Sequence, residues 1–400
     1  MKVLVVNAGS TTLKYQLFDT TDYHMMAKGN CERIGDGGKI GHKVPGKPAF
    51  EQEIPFHTHA DAAEMVVKLL TDKEYGCIDD LSEIHAVGHR IVHGGPHLSE
   101  SIAVTDAVMA ELENCREIDP LHIPGAIMGI KACMEAVPGV PQVLVFDTAF
   151  HHTMPPEAYT YPIPRELSEK YHIRKYGFHG TSHRYVSEEM IRILGKPVED
   201  TKIVTCHLGG GSSIAAVKGG KAIDTSMGFT SLDGLVMSTR SGSIDPAAVT
   251  FLMEKEHLSP KEMDDLLNRK SGLFGIAGMG DCRDLTSAWE HGDKAAEIAM
   301  KTLCYQIKKY IGAYAAAMGG LDAVVFTAGI GENQAAVRQM SLQGLEFLGI
   351  SFDEEANLAV PRPAPITRLS KPDSRVAVYL IPTNEELMIA RDAAEIAAKM

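Results

Sequence analysis

Residues 3–6 form an unbroken apolar run, Val-Leu-Val-Val, that ends in Asn7, Ala8, Gly9 and Ser10. Such a run reads as a strand buried on both faces. Leu13, Tyr15 and Leu17 then alternate with Lys14, Gln16 and Phe18, the period of a second strand. The short turn between the two predicts a hairpin. The pattern returns at 202–216, KIVTCHLGGGSSIAA, about half the chain later. Hairpins of this kind are common, so the echo alone leaves coincidence open. Duplication of one unit is the economical account, and a chain of 400 residues has room for two domains. Two matching halves would face each other across a cleft lined by the polar turns.

Strand and helix signals alternate throughout, which predicts an α/β architecture. Asp245-Pro246 reads as an N-cap followed by proline at the first helical position. Ser259 and Glu262 have the spacing of a capping box. Residues 293–318 form an amphipathic candidate closed by Gly319-Gly320. Thr383 and Glu386 are expected to form another capping box before a helix over 387–400. Residues 359–375, rich in Pro, Arg and Ser, read as an exposed loop before a last strand at 376–381.

A net charge of −13 weighs against nucleic acid as a partner, because neutralising phosphates needs a basic face. It leaves room for a small basic pocket that takes an anion. The seven cysteines include no C-x-x-C pair, which suits reduced thiols in the cytoplasm. No basic segment with an apolar core opens the chain, so no signal peptide is expected. No apolar run reaches the roughly 18 residues of a membrane helix.

Turns rich in Gly, Ser and Thr present backbone N–H groups and hydroxyls without bulk, a chemistry that suits phosphate. Three follow apolar strands, at 7–12, 207–213 and 328–333, and the last is expected to lead into a helix that favours an anion. None is a G-x-x-x-x-G-K-[ST] loop. Gly329-Ile330-Gly331 has Gln334 where a dinucleotide fingerprint needs its third glycine. Each turn alone is equally an ordinary tight turn. Lys14, four residues after Ser10, either folds over the first turn as a point charge or is a solvated strand lysine.

Histidine, arginine and glycine crowd into VGHRIVHGGPH (87–97) and KYGFHGTSHRYVS (175–187). Asp147 ends a strand in LVFDTAFHHTMP, and Arg240 sits among small residues in DGLVMSTRSGSIDP. Zinc is one reading of the histidines. His93 and His97 are four apart, but Gly94, Gly95 and Pro96 preclude a helix, and His151-His152 would point to opposite sides of a strand. A hydrolase triad is another, although the G-x-S-x-G elbow is absent and Ser182 and His183 are sequence neighbours. Arg90 and Arg240 suit a two-pronged grip on a carboxylate or phosphate from two domains; alone, each is equally a surface ion pair.

Taken together, NAGSTTLK, GHRIVHGG, FDTAFH, YGFHGTSHRYV, HLGGGSS, DTSMGFTSLDGL, TAGIGEN and TNEEL resemble, in order and over nearly the whole chain, the acetate kinase (acetokinase) family of the acetate and sugar kinase/Hsp70/actin superfamily. The resemblance implies duplicated ribonuclease H-like (actin-like ATPase) domains with an ATP cleft between them. Residues 1–150 with 385–400 would be the N-terminal domain and 151–384 the nucleotide-binding domain. It implies reversible transfer of the ATP γ-phosphoryl group to acetate, with Mg2+ or Mn2+, by a homodimer. Asn7 and Glu385 would hold the metal and Lys14 an ATP phosphate. Arg90 and Arg240 would flank the acetate carboxylate and the transferred phosphoryl group. His179 would donate to that group's oxygens, and Asp147 would be the catalytic acidic residue. His207, Leu208, Gly209, Gly210 and Gly211, with Asp281, Cys282 and Arg283, would bind nucleotide, as would Gly329, Ile330, Gly331, Glu332 and Asn333. Val92 and Leu121 would line the methyl pocket, with His122 beside it.

That assignment agrees with the chemistry. A carboxylate nucleophile is already ionised at neutral pH, so charge neutralisation and in-line positioning are what it requires. Asp147 is therefore expected to orient a metal-bound water or an arginine and not to abstract a proton. The sequence departs from the family pattern at Gly210, where asparagine is usual, which leaves base preference open. Ser10, Thr11 and Thr12 replace three serines and keep the hydroxyls. Ser231 stands for the usual proline, Ile123 for asparagine and Ser243 for aspartate. Propionate or another short acid is thus a second reading of the substrate. A non-catalytic nucleotide clamp of the same superfamily is a third.

Overall fold

The computed structural model describes residues 1–400, and they divide into two compact units, Met1–Ala149 with Asn384–Met400 and Phe150–Thr383. The first unit holds strands β1 (Lys2–Ala8), β2 (Leu13–Asp19), β3 (His24–Glu32), β4 (Lys39–Lys43), β5 (Phe50–Glu53), β6 (Ile84–Ile91), β7 (Ile102–Ala103) and β8 (Gln142–Phe146). Their order across the sheet is β5-β4-β3-β2-β1-β6-β8-β7. The second unit holds β9 (Lys202–Leu208), β10 (Ser212–Lys218), β11 (Lys221–Thr225), β12 (Ala323–Thr327), β13 (Thr367–Arg368) and β14 (Ala377–Leu380), in the order β11-β10-β9-β12-β14-β13.

One pattern underlies both sheets. β1 pairs antiparallel with β2, and β2 with β3, while β6 and β8 add in parallel on the other side. β9, β10 and β11 repeat the meander, and β12 and β14 repeat the parallel pair. The echo in sequence is therefore a duplication in structure, of the ribonuclease H-like α/β kind. The first sheet extends the pattern with the hairpin β4–β5. Every residue of β8 and of β12 is buried, as strands covered on both faces must be.

Strand pleat decides which helix each side chain meets. In β1, Leu4 and Val6 join a core with Cys133 of the helix Ile123–Ala136, and Val5 and Asn7 face the side that carries the helix Glu385–Ala397. In β9, Val204, Cys206 and Leu208 pack towards the long helix Lys294–Met318, and Ile203 packs with Val186 and Met190 of the helix Gly180–Leu194. Two of the expected helices cap as the sequence predicts. Asp293 accepts from Ala295 and Ala296, Gly319 closes that helix with φ 69°, and Ser259 and Glu262 form their reciprocal box.

Four expectations change. The final helix is Glu385–Ala397 and its N-cap is Asn384, whose side chain accepts from the Leu387 N–H; the Thr383 hydroxyl bonds to Ser182 instead. His151 and His152 lie in a short 3-10 helix, Ala149–Thr153, so no strand pleat separates them. Residues 359–375 are not wholly loop: Thr367–Arg368 pairs with β14, and Leu369 and Ser370 are buried. At Ala328–Asn333 the helix starts directly after β12, with no intervening turn. No helix is long and apolar enough to cross a membrane, and all seven cysteines are free thiols.

Candidate active site

In the first unit, Asn7 and Lys14 are register partners across β1–β2, so their side chains share one face. The turn between them is tightly held. The Gly9 N–H donates to Thr12 O at 2.8 Å, and His59 Nε2 lies 2.7 Å from Gly9 O. Beneath it, the helix Ile123–Ala136 approaches through Gly125 and Gly129. A Cβ on Gly129 would lie 2.3 Å from Ala8 Cβ, and one on Gly125 2.8 Å from the Gly9 carbonyl carbon.

Arg90, on β6, meets Asp147 just beyond β8. Arg90 Nε donates to Asp147 Oδ1 at 3.1 Å and Nη2 to Oδ2 at 2.7 Å, a two-pronged pair. Asp147, and then Glu385 and Glu386, push the Arg90 pKa up against the opposing effect of burial. A cavity of about 460 Å³ unites Asn7, Lys14, Arg90 and Glu385. Val92 is half-buried beyond β6, Leu121 is 61% exposed, and neither lines that cavity.

In the second unit, a cavity of about 410 Å³ is walled by Gly209 and Gly210 after β9, by Asp281, Cys282 and Arg283, and by Gly329, Ile330 and Asn333. Ser238, Gly280, Gln334 and Arg362 complete it. A Cβ on Gly210 would find nothing nearer than Ser238 Oγ at 3.9 Å, so the glycine leaves open space. Asp281 caps the helix Cys282–Glu290 through the Arg283 N–H, and Arg283 Nη2 donates to its carboxylate at 2.6 Å. Those two donors hold the Asp281 carboxyl down at about 2.

Other residues expected at the nucleotide are turned inwards. Leu208 is buried in the sheet, and the Cys282 thiol is buried and pushed up to about 12, so each has backbone alone to offer. The Glu332 carboxylate accepts from the Ala328 and Thr383 N–H groups at 3.0 and 3.3 Å. It thus takes the helix-start donor that was expected to favour an anion. Gly331 O accepts from Arg338 Nη1 at 2.8 Å, and Asn333 O from Arg362 Nη2 at 2.9 Å.

His179 and Arg240 converge beside the β9–β10 turn. A Cβ on Gly211 would stand 3.4 Å from Arg240 Nη1 and 3.6 Å from both Cε1 and Nε2 of His179. Arg240 donates to Ser231 O at 3.1 Å, and burial alone lowers its pKa; no carboxylate offsets its charge. Its loop is closed at the base by Ser243, whose hydroxyl donates to Asp233 Oδ1 at 2.6 Å. That bond accounts for a hydroxyl at 243. His179 has φ 57° at the cap of the helix Gly180–Leu194, a left-handed conformation that costs energy for a residue with a Cβ. His151 Nε2 lies 2.9 Å from Phe178 O, and Gly177 (φ 77°) leaves room for the His151 ring. The His179 ring stacks on His207 with centroids 4.1 Å apart.

Beneath these rings lie Ser213 and Thr205, which the sequence does not single out, and Ser182 and His183, which it offers only as a hydrolase pair. Ser213 Oγ lies 2.8 Å from His179 Nδ1 and 2.7 Å from His183 Nε2, and His183 Nδ1 lies 2.7 Å from Thr205 Oγ1. His207 Nδ1 meets Ser182 Oγ at 2.7 Å. Arg338, Ser238 and Arg362 were missed as well. The signal for Ser213 was present, since the hairpin register sets it opposite His207.

Two units of one strand order, each with a strand-turn-strand loop at its candidate site, define the actin-like ATPase class of fold. Within that class the chain belongs to the acetokinase family, whose model matches residues 2–391. It is 55% identical over 395 residues to the acetate kinase of Caldanaerobacter subterraneus subsp. tengcongensis, covering 98% of each chain. The acetate kinase of Porphyromonas gingivalis superposes with a TM-score of 0.94 at 44% identity, covering 99% of both chains. A propionate kinase from Francisella tularensis superposes at 0.91 with 38% identity, again over 99% of both.

Proposed function

We propose that the protein is an acetate kinase that reversibly transfers the γ-phosphoryl group of ATP to acetate. One acetate oxygen attacks phosphorus, the bond to the β,γ-bridging oxygen breaks, and acetyl phosphate and ADP result with no proton to remove. The observation that carries the reading is Arg240, a partly buried cation with no carboxylate partner, beside His179 at a glycine turn. Such donors stabilise the spread negative charge of a transferring phosphoryl group.

His207 to Gly211, Asp281 to Arg283 and Gly329 to Asn333 bind the nucleotide, the buried members through backbone groups. Arg90 holds the acetate carboxylate, oriented by Asp147, and Lys14 contacts phosphate. The Asn7 amide and the Glu385 carboxylate line one cavity and are hard oxygen donors. Two such donors fit Mg2+, which keeps most of its waters, and the same pair accepts Mn2+. When bound, the ion neutralises phosphate charge. Val92 and Leu121 border the methyl group. Seven free thiols support a reducing, cytoplasmic setting.

Propionate is the second reading, favoured by the likeness to the Francisella tularensis enzyme and by Ser231 at a position where proline is usual. One methylene changes pocket binding by only ~1–3 kcal/mol. Trapping acyl phosphate with hydroxylamine and comparing kcat/KM for acetate, propionate and butyrate decides between the two. Acetate should lead. Higher kcat/KM for propionate would move the assignment, and no acyl phosphate from any short acid would refute both.

A further inference from the structure

We propose that Ser213, His183 and Thr205 are positioning residues that fix the proton of His179 on Nε2, the nitrogen turned towards the Gly211 turn. The inference rests on the reading of His179 as a donor to the phosphoryl group. It follows from counting hydrogens along one chain of four groups, of which Ser213, His183 and Thr205 are buried.

Ser213 Oγ stands between two imidazoles, 2.8 Å from His179 Nδ1 and 2.7 Å from His183 Nε2. A hydroxyl has one hydrogen, so it donates to one ring and must accept from the other. His183 is fully buried, and burial holds its pKa well below the ordinary histidine value, so it is neutral with a single N–H. Its other nitrogen is 2.7 Å from Thr205 Oγ1. Only two proton orders satisfy these contacts.

In the first, Thr205 donates to His183 Nδ1, His183 Nε2–H donates to Ser213, and Ser213 donates to His179 Nδ1. Every hydrogen has an acceptor, and a neutral His179 carries its proton on Nε2. In the second, all three bonds reverse: His179 Nδ1–H donates to Ser213, Ser213 to His183 Nε2, and His183 Nδ1–H to Thr205. The Thr205 hydroxyl hydrogen then has no acceptor, because that side chain is buried and His183 is its one hydrogen-bond partner. An orphaned buried donor is costly, so the first order prevails. The Cε1–Nε2 edge of His179 faces Gly211, where Arg240 also lies, so the tautomer selected is the one that can donate there.

Register is what assembles the chain. His207 pairs with Ser213 and Thr205 with Ala215 across β9–β10, which puts Thr205, His207 and Ser213 on the sheet face that the helix Gly180–Leu194 covers. His179 caps that helix and His183 lies one turn along it.

Two measurements test the proposal. Nitrogen-15 NMR of the histidine rings in the full-length wild-type protein should show His179 with its proton on Nε2 and a bare Nδ1. Ser213→Ala should lower kcat by about ten- to a hundredfold with KM for ATP within about threefold, and should mix the two His179 tautomers. Thr205→Val, which keeps the shape, should mix them partially, and Thr205→Ser should restore the wild-type spectrum. A wild-type His179 protonated on Nδ1, or Ser213→Ala with kcat within twofold of wild type, would overturn it. Should Ser213→Ala fail to fold, the wild-type spectrum still decides. Full turnover in His179→Ala would instead sink the reading of His179 as phosphoryl donor, which the spectrum does not depend on.

Discussion

Arg90 holds both carboxylate oxygens of Asp147, whereas Arg240 leans on the Ser231 carbonyl and the Met237 sulfur. Truncating them should therefore have different consequences for folding. Arg90→Ala strands a carboxylate that is 1% exposed, and breaking such a pair costs about 3–5 kcal/mol. Arg240→Ala removes a cation that burial already disfavours, so stability should change by under about 1 kcal/mol while turnover collapses. Urea unfolding of the two variants checks this, and equal losses of stability would contradict it. Sequence made both arginines visible but not their company. The Asp147 partner is 57 residues from Arg90, and Ser213 is 34 from His179; strand pairing brings the first two together and a helix packed on the sheet the second two. The carboxylate contact of Glu332 was hidden for the same reason, since it bonds the Thr383 N–H, 51 residues away.

At the scale of elements, what was local was legible. Both hairpins follow from apolar runs broken by small polar residues, and the capping box at Ser259 and the N-cap at Asp293 follow from short spacings. The misplaced cap at Thr383 is a one-residue error, made because Asn384 is an equally good cap and only tertiary contacts choose between them. The close approach of the helix Ile123–Ala136 to the first hairpin was not legible, because nothing in PGAIMGI says what its glycines face. Gly129→Val would drive a side chain into Ala8. We expect it to cost about 1–3 kcal/mol of stability and to raise KM for ATP by shifting the turn that precedes Lys14. An unchanged KM in a folded variant would show that the turn is held independently of that helix.

For the molecule as a whole, buried histidines set the acid limit of stability. His89 and His151 are buried and pushed down to about 4, in both cases chiefly by burial. Unfolded, each takes up a proton below about 6.5. The unfolded state therefore binds more protons between those values, and stability is full above pH 6.5 and lost as pH falls towards 4. The slope is about 1.4 kcal/mol per pH unit for each histidine. Asp281, held at about 2, titrates below that window. Urea midpoints should stay level down to about pH 6.5 and decline below it; midpoints constant to pH 5 would rule out this origin.

The helix Glu385–Ala397 buries Met388, Ile389 and Ala393 against the first sheet, although its residues follow the whole of the second unit in the chain. Full burial of side chains such as Met and Ile contributes roughly 1.5–3 kcal/mol each, a sizeable share of a domain's usual 5–15 kcal/mol. On the ribosome, then, the first part made is among the last to be finished. Throughout synthesis of residues 150–383, β1, β6 and β8 keep one apolar face waiting for a cover not yet translated. The nascent chain carries a sticky, half-built sheet for most of its time in the exit tunnel's vicinity, and that interval is when a chaperone has most to protect.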